Sequence, residues 1–447
     1  MSQGTQTDPT LEKLRRGDLA GARTLRLTGP LDALPEEVFG LADTLEQLDL
    51  SGCGLTDLPK DFGRLRRLRV LFCSGNRFER LPPGLGDCPD LAQVGFRGAG
   101  LREVPGEALP PRLRWLTLTD NRIAHLPDAL GQRSHLQKLM LAGNALTALP
   151  ATLQGAGNLE LVRLSANAFT ALPPWLAELP RLAWIAWAGN FFEGQAAPAS
   201  VPDVPWGQLE PGALLGEGAS GRIFSALWHP QAGPAQAVAL KLFKGVMTSD
   251  GLPEREMAAC LGAGRHPNLT GALGQVVGHP DGAQGLLMPL LPETWRVLAG
   301  PPSLASCSRD VYDPALRLTP AAALRIARDV AQGAAHLHAR GLLHGDLYAH
   351  NTLWDGLTGA AVLSDFGAAS RLPPGPESAA WQRIETRAFG LLLGELLDRC
   401  ASEPEEIARL RDLKRTCTQA DVTARPLMAE VVPIMSDCLD RTPERPS

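Results

Sequence analysis

The chain has 447 residues, enough for two or three domains. It is 44% hydrophobic and 20% charged, as folded protein usually is, and its net charge of −5 offers no basic face to nucleic acid or an acidic membrane. The start, "MSQGTQTDPTLEKLRRGDL", lacks the apolar core of a signal peptide, and no apolar run reaches membrane-spanning length, so no membrane insertion is expected. The eight cysteines are scattered without a CxxC pair, which argues against zinc and for free thiols in a reducing compartment. A cytoplasmic protein is expected.

Residues 1–21 read as an N-terminal cap, with "TLEKLRRGDLAG" as its short helix. From Ala22 one line recurs, beginning again at Leu45, Leu68, Leu91, Leu113, Leu136, Leu159 and Leu182, with every spacing 22 or 23 residues. "LEQLDLSGCGLTDLP", "LQKLMLAGNALTALP" and "LELVRLSANAFTALP" are variants of it. Leucines at period two face one side of a short strand, and stacked units share the core that one unit cannot close. Asn76, Asn121, Asn144, Asn167 and Asn190 hold one position where a side-chain amide can satisfy buried backbone. Pro30, Cys53 and Ala99 interrupt that ladder, and local looseness is expected near Ala99. This pattern resembles the leucine-rich repeat family over about residues 22–195, an α/β solenoid of about eight repeats. Outward strand positions would line its concave face and take a protein ligand or the chain's own second domain. They include Gln93 and Arg97, and the apolar Phe72, Trp115, Met140 and Trp184. The Pro- and Ala-rich residues 196–206 break the period and read as a linker.

The second half has another organisation. "LLGEGASGRIF" sets Gly216, Gly218 and Gly221 in GxGxxG spacing, a phosphate-cradling pattern that is weak alone because 46 residues are glycine. "VALK" ends in Lys241, twenty residues after the last loop glycine. A short helix from Pro253 offers Glu254 and Glu256, the latter ten residues before His266, as partners for that lysine. "GLLMPLLPETW" follows, then a helix with Thr319 as N-cap and Leu324, Ala327, Val330, Ala334 and Leu337 as its apolar stripe. "HGDLYAHN" comes next, and "VLSDFGAAS" puts Asp365 nineteen residues after Asp346.

In this order the motifs of residues 207–440 resemble the protein-kinase family, a two-lobed α+β domain. The resemblance implies an ATP site from Gly216, Glu217, Gly218, Ala219, Ser220, Gly221, Ile223, Ala239, Lys241, Met288 and Leu291. It implies that Lys241, held by Glu256, grips the phosphates, that Asn351 and Asp365 hold Mg²⁺ (or Mn²⁺), and that Asp346 takes the proton of the acceptor hydroxyl. Taken whole, the chain is most similar to bacterial leucine-rich-repeat proteins with a C-terminal kinase domain. The implied function is a Ser/Thr-type protein kinase with a protein substrate and a repeat domain as sensor or scaffold.

Three departures bear on that reading. Gly345 stands where most protein kinases carry the Arg that pairs with a phosphorylated activation loop. Only seventeen residues separate Gly367 from Glu385, which is expected to open the next helix, and Arg425 lacks an evident Glu partner. Tyr348 takes the place of the Ser/Thr-kinase Lys, and "HGD" followed by Asn351 also resembles small-molecule kinases of the same fold. The alternatives are therefore a pseudokinase acting as a nucleotide- or partner-binding protein, and a small-molecule kinase. "PPSLASCSRDVY", 301–312, matches no motif and is expected near the ATP cleft or the substrate entrance. His344 is expected to bond locally, and His350 has no assigned role.

Overall fold

The computed structural model describes residues 8–193, 201–218, 220–245, 247–248, 250–402 and 405–442; Ala219 of the glycine-rich loop and residues 196–200 of the expected linker lie outside them. The chain falls into two compact units that divide between Leu179 and Pro180.

The first unit opens with helix α1 (Pro9–Arg15). Asp8 caps it, one carboxylate oxygen accepting the Thr10 N–H at 2.8 Å and the other the Thr28 N–H at 2.6 Å. Strands β1 (Thr24–Arg26), β2 (Gln47–Asp49), β3 (Val70–Phe72), β4 (Gln93–Gly95), β5 (Trp115–Thr117), β6 (Lys138–Met140) and β7 (Leu161–Arg163) pair in parallel, in chain order. Their middle residues, Leu25, Leu48, Leu71, Val94, Leu116, Leu139 and Val162, stand in register and are buried. The asparagine ladder ties each repeat to the one before. Asn76 accepts the Leu55 N–H at 2.9 Å and donates to Leu50 O and Cys73 O, and Asn144 and Asn167 repeat the arrangement. At the expected weak point Ala99 is fully buried and its N–H is held by Asn121 Oδ1 at 3.1 Å, so the site is closed and not loose.

Two expectations for the concave face are corrected. The fourth strand ends at Gly95, so Arg97 lies beyond it in the turn. The Phe72 ring fills the space a side chain at Gly95 would need, its Cδ1 lying 2.8 Å from an ideal Cβ. The apolar positions are also less open than expected. Phe72 and Trp115 are half-buried, Met140 is buried, and Lys138 Nζ covers the Trp115 ring at 4.2 Å.

The second unit begins inside the repeat pattern, fifteen residues before the expected end of the solenoid at 195. The strand of the eighth repeat, β8 (Trp184–Ala186), is buried on both faces and packs with the helical part of this unit. The expected linker is also shorter than read. Asp203–Pro205 forms β9, which pairs in parallel at the edge of a sheet, with Val204 1% exposed beside Val276. An edge strand tolerates the flanking prolines. The sheet adds β10 (Leu209–Glu217), β11 (Gly221–Trp228), β12 (Gln236–Phe243), β13 (Gly274–Val277) and β14 (Gly285–Pro289) in the order β10-β11-β12-β14-β13-β9. Helix α2 (Pro253–Ala263) accompanies it.

The helical part comprises α3 (Pro320–Ala339), α4 (Ser378–Leu397), α5 (Glu405–Thr418) and α6 (Met428–Asp440), with short strands before and after α3. These are β15 (Trp295–Val297), β16 (Leu342–Leu343), β17 (Thr352–Asp355), β18 (Ala361–Leu363) and β19 (Ser370–Arg371). Thr319 caps α3 by accepting the Ala322 N–H at 3.2 Å, and the predicted stripe Leu324, Ala327, Val330, Ala334 and Leu337 is wholly buried. Among the described residues no helix is long and apolar enough to cross a membrane. All eight cysteines are free thiols.

Candidate active site

Strand β12 carries Lys241 inward, and α2 brings Glu256 to it from fifteen residues away in sequence. The two form a buried ion pair, while Glu254 on the same helix is exposed. Burial works against the Lys241 ammonium, but the charges of Glu256 and Asp365 outweigh it and hold its pKa above the usual lysine value. The lysine is thus fixed as a cation.

The glycine-rich loop joins β10 to β11. An ideal Cβ at Gly216 or Gly218 meets no heavy atom within 4 Å among the described residues. Gly221 differs: Leu242 O lies 2.5 Å from such a Cβ, so backbone packing requires that glycine. Lys244 steadies the loop, donating to Gly218 O at 3.0 Å and pairing with Glu217 at 2.7 Å. Ala239 and Met288 face each other across β12 and β14. Ile223 pairs with Lys241 across β11 and β12, and Leu291 follows β14.

The catalytic-loop residues converge from the other side. Asn351 donates to Asp346 Oδ2 at 2.7 Å and to Asp346 O at 2.9 Å. Asn351 O accepts the Ser364 N–H and hydroxyl, which fixes the segment that ends in Asp365. Asp365 has φ +59° and is exposed, whereas Phe366 beside it is buried. His344 bonds locally as expected, its Nε2 to Ser364 O at 3.1 Å, with its Nδ1 accepting the Asp346 N–H at 3.3 Å.

Asp310 and the role of His350 were not found by motif. The segment 301–312 delivers Asp310 to the catalytic loop, where its carboxylate holds His350 through Nδ1 at 2.7 Å and through the backbone N–H at 3.0 Å. His350 Nε2 lies 3.9 Å from Asp346 Oδ2. Burial opposes the imidazolium, but the Asp310 hydrogen bond and the Asp346 charge outweigh it and raise its pKa.

The neighbourhood of Glu385 also differs from expectation. Helix α4 starts at Ser378, so Glu385 sits one-third of the way along it rather than at its head. Its carboxylate accepts the Gly345 N–H at 2.7 Å and meets His338 Nε2 at 2.7 Å. Arg425 is fully buried and donates to the carbonyls of Gln419, Arg383 and Pro180. Burial pulls its pKa down to about 10.

The family described as protein tyrosine and serine/threonine kinase matches residues 209–387, and leucine-rich repeat families match residues 44–65 and 111–169. The chain joins leucine-rich repeats to a protein kinase domain. Its kinase domain is similar to Dual specificity testis-specific protein kinase 1 of Rattus norvegicus, 32% identical over 114 residues, 20% of this chain and 18% of that one. It is 29% identical to Kinase suppressor of Ras 2 of Homo sapiens over 171 residues, 38% of this chain and 16% of the other. Serine/threonine-protein kinase PkaB of Streptomyces coelicolor is 32% identical over 184 residues, 39% of each chain. The chain thus spans less than a fifth of the first two curated relatives. A solved leucine-rich-repeat protein of Leptospira interrogans is 29% identical, with TM-score 0.38, over 42% of this chain and 47% of that one.

Proposed function

We propose that the kinase domain transfers the γ-phosphoryl group of ATP to a Ser/Thr hydroxyl of a protein acceptor, with the repeats as a protein-binding sensor or scaffold. The observation that carries this reading is the buried Lys241–Glu256 pair set opposite the Asp346–Asn351–Asp365 group. The chain's groups suit the nucleotide: Gly216 and Gly218 leave the loop open to phosphates, and Lys241 is a fixed cation. They also suit Mg²⁺. Asn351 spends its NH₂ on Asp346, so its amide oxygen is the atom it would offer a cation, and Asp365 offers an exposed carboxylate. Among the described residues no three His, Cys, Asp or Glu side chains form a self-sufficient metal site. This accords with Mg²⁺, which is held by one or two carboxylates together with substrate phosphates. When bound, the cation neutralises phosphate charge. Lys241 would orient the phosphates, and Asp346, held by Asn351, would align the acceptor hydroxyl and take its proton.

Turnover of labelled ATP with Mg²⁺ tests the reading. Asp346→Asn and Lys241→Met should each lose transfer by about 10²-fold or more with the fold retained. Labelling that does not depend on either residue would remove it. A second reading, a small hydroxylated acceptor, is favoured by one observation: only ten residues lie between Gly367 and the start of α4, little chain to hold a peptide. Hydroxylated small molecules offered beside protein acceptors separate the two.

A further inference from the structure

The eighth repeat supplies part of the wall behind the catalytic loop. Trp184 is 2% exposed. Its indole lies flat on the Tyr348 ring, 4.2 Å between centroids and 6° between planes, and Nε1 donates to Leu347 O at 3.0 Å. Leu347 and Tyr348 are the two residues after Asp346. The Arg309 guanidinium covers the same indole at 5.0 Å.

The contacts continue onto the activation segment. The Trp187 N–H donates to Ser370 Oγ at 2.9 Å, its indole N–H donates to Arg371 O at 3.0 Å, and Glu193 accepts the Arg371 N–H at 3.0 Å. Ser370 and Arg371 form β19, which pairs with β16 just ahead of the catalytic loop. Ile185 completes the set. Its carbonyl lies 2.5 Å, and that of Ala368 2.6 Å, from an ideal Cβ at Gly345, whose φ is +74°. A phosphate-switched loop needs a cation to receive the phosphate. Backbone from repeat eight and from the activation segment fills the place where that cation would begin.

We infer that the eighth repeat is a fixed clamp on the catalytic loop and activation segment, with Trp184 as a positioning residue for Asp346, so that transfer needs no phosphate on the activation segment. This rests on the reading of Asp346 as the group that takes the acceptor proton. Every clamping contact is made by a buried or partly buried group already in place. The segment therefore has its ordered partner built into the chain rather than added by modification.

The test uses the full chain as parent, Trp184→Ala and Trp184→Phe, each before and after treatment with a protein phosphatase that is then removed. Two readouts are taken: kcat and KM for ATP in Mg²⁺-dependent turnover, and amide hydrogen exchange over 345–348 and 368–371. Dephosphorylation should change parent turnover by less than about twofold. Trp184→Ala should lose about tenfold or more in kcat with little change in KM, as misplacement of a reacting group does. Exchange should rise in those two segments. Trp184→Phe keeps a ring on Tyr348 but not the N–H, and should fall between. The inference is overturned if dephosphorylation abolishes parent turnover, or if kcat and exchange are unchanged in both variants. It is equally overturned if exchange rises evenly through the second unit. A parent that turns over no ATP removes the transfer reading, and the exchange data then decide the clamp alone.

Discussion

Glu385 and Gly345 lie forty residues apart in sequence and meet in one buried hydrogen bond, the carboxylate accepting the glycine N–H at 2.7 Å. The other carboxylate oxygen takes His338 Nε2, and Glu385 is 1% exposed. Glu385→Ala therefore strands two buried polar groups, at roughly 1–3 kcal/mol each. The expected outcome in urea unfolding is a loss of roughly 2–5 kcal/mol. Glu385→Gln keeps the shape and one acceptor and should lose less.

Gly345 itself cannot take a side chain. Two backbone carbonyls lie within 2.6 Å of an ideal Cβ, and φ is +74°. The left-handed backbone alone costs about 1–2 kcal/mol for another residue, and neither carbonyl is a flexible side-chain end that could move aside. Gly345→Ala should lose roughly 2–4 kcal/mol in equilibrium unfolding. Gly345→Arg, which restores the residue common in the family, should be worse and not better. A stable, fully active Gly345→Arg protein would contradict this packing.

How much of this was legible in the sequence follows from how local each signal is. The repeat period and the α3 cap and stripe rest on spacing within one or two elements, and the structure places them as read. Glu256 is preferred over Glu254 through the family resemblance, and in the structure it is the one that pairs with Lys241. What covers the eighth repeat did not yield to spacing. The eighth repeat keeps the repeat pattern, yet Trp184 and Trp187 are buried against residues more than 160 positions away. Nothing in a period says which element covers a repeat's face. Asp310 was invisible because its partner His350 is forty residues on and the segment between Pro301 and Tyr312 follows no known line. Its one signal was an Asp in an insertion shortly after "GLLMPLLPETW". Glu385 was found, but its position in α4 was misjudged. A helix start before it required knowing that Trp381 and Ile384 are buried on the same face.

Glu395 gives the second unit a pH dependence of definite sign. Burial pushes its carboxyl up to about 7 from an ordinary 4.5, the Asp310 charge adds to this, and the Tyr312 hydroxyl donates to it at 2.9 Å. Between those two values the folded chain keeps a proton that the unfolded chain has released. The stabilising contribution is full below about 4.5 and is lost as pH rises through about 7. Its slope cannot exceed about 1.4 kcal/mol per pH unit. Unfolding midpoints of the parent and Glu395→Gln between pH 5 and 8 should therefore diverge with pH, only the parent showing this fall. Parallel curves would contradict the assignment.

In the first unit the strongest single tie should be Asn121. It accepts the N–H of Ala99 and of Leu101, at 3.1 and 2.9 Å, and donates to Phe96 O and Leu118 O. Asn144, one repeat on, accepts the single Ile123 N–H and makes the same two kinds of donation. The difference is the Ala99 N–H, which Asn121 accepts from the turn of the preceding repeat in addition to the Leu101 N–H. Asn121→Ala should cost roughly 2–4 kcal/mol, about 1 kcal/mol more than Asn144→Ala, since each stranded backbone group adds about that much. A repeat array is held by its nearest-neighbour contacts, so the loss should appear as faster amide exchange over residues 94–123 before the other repeats change. Equal effects of the two substitutions would show that the turn at Ala99 is held by packing alone.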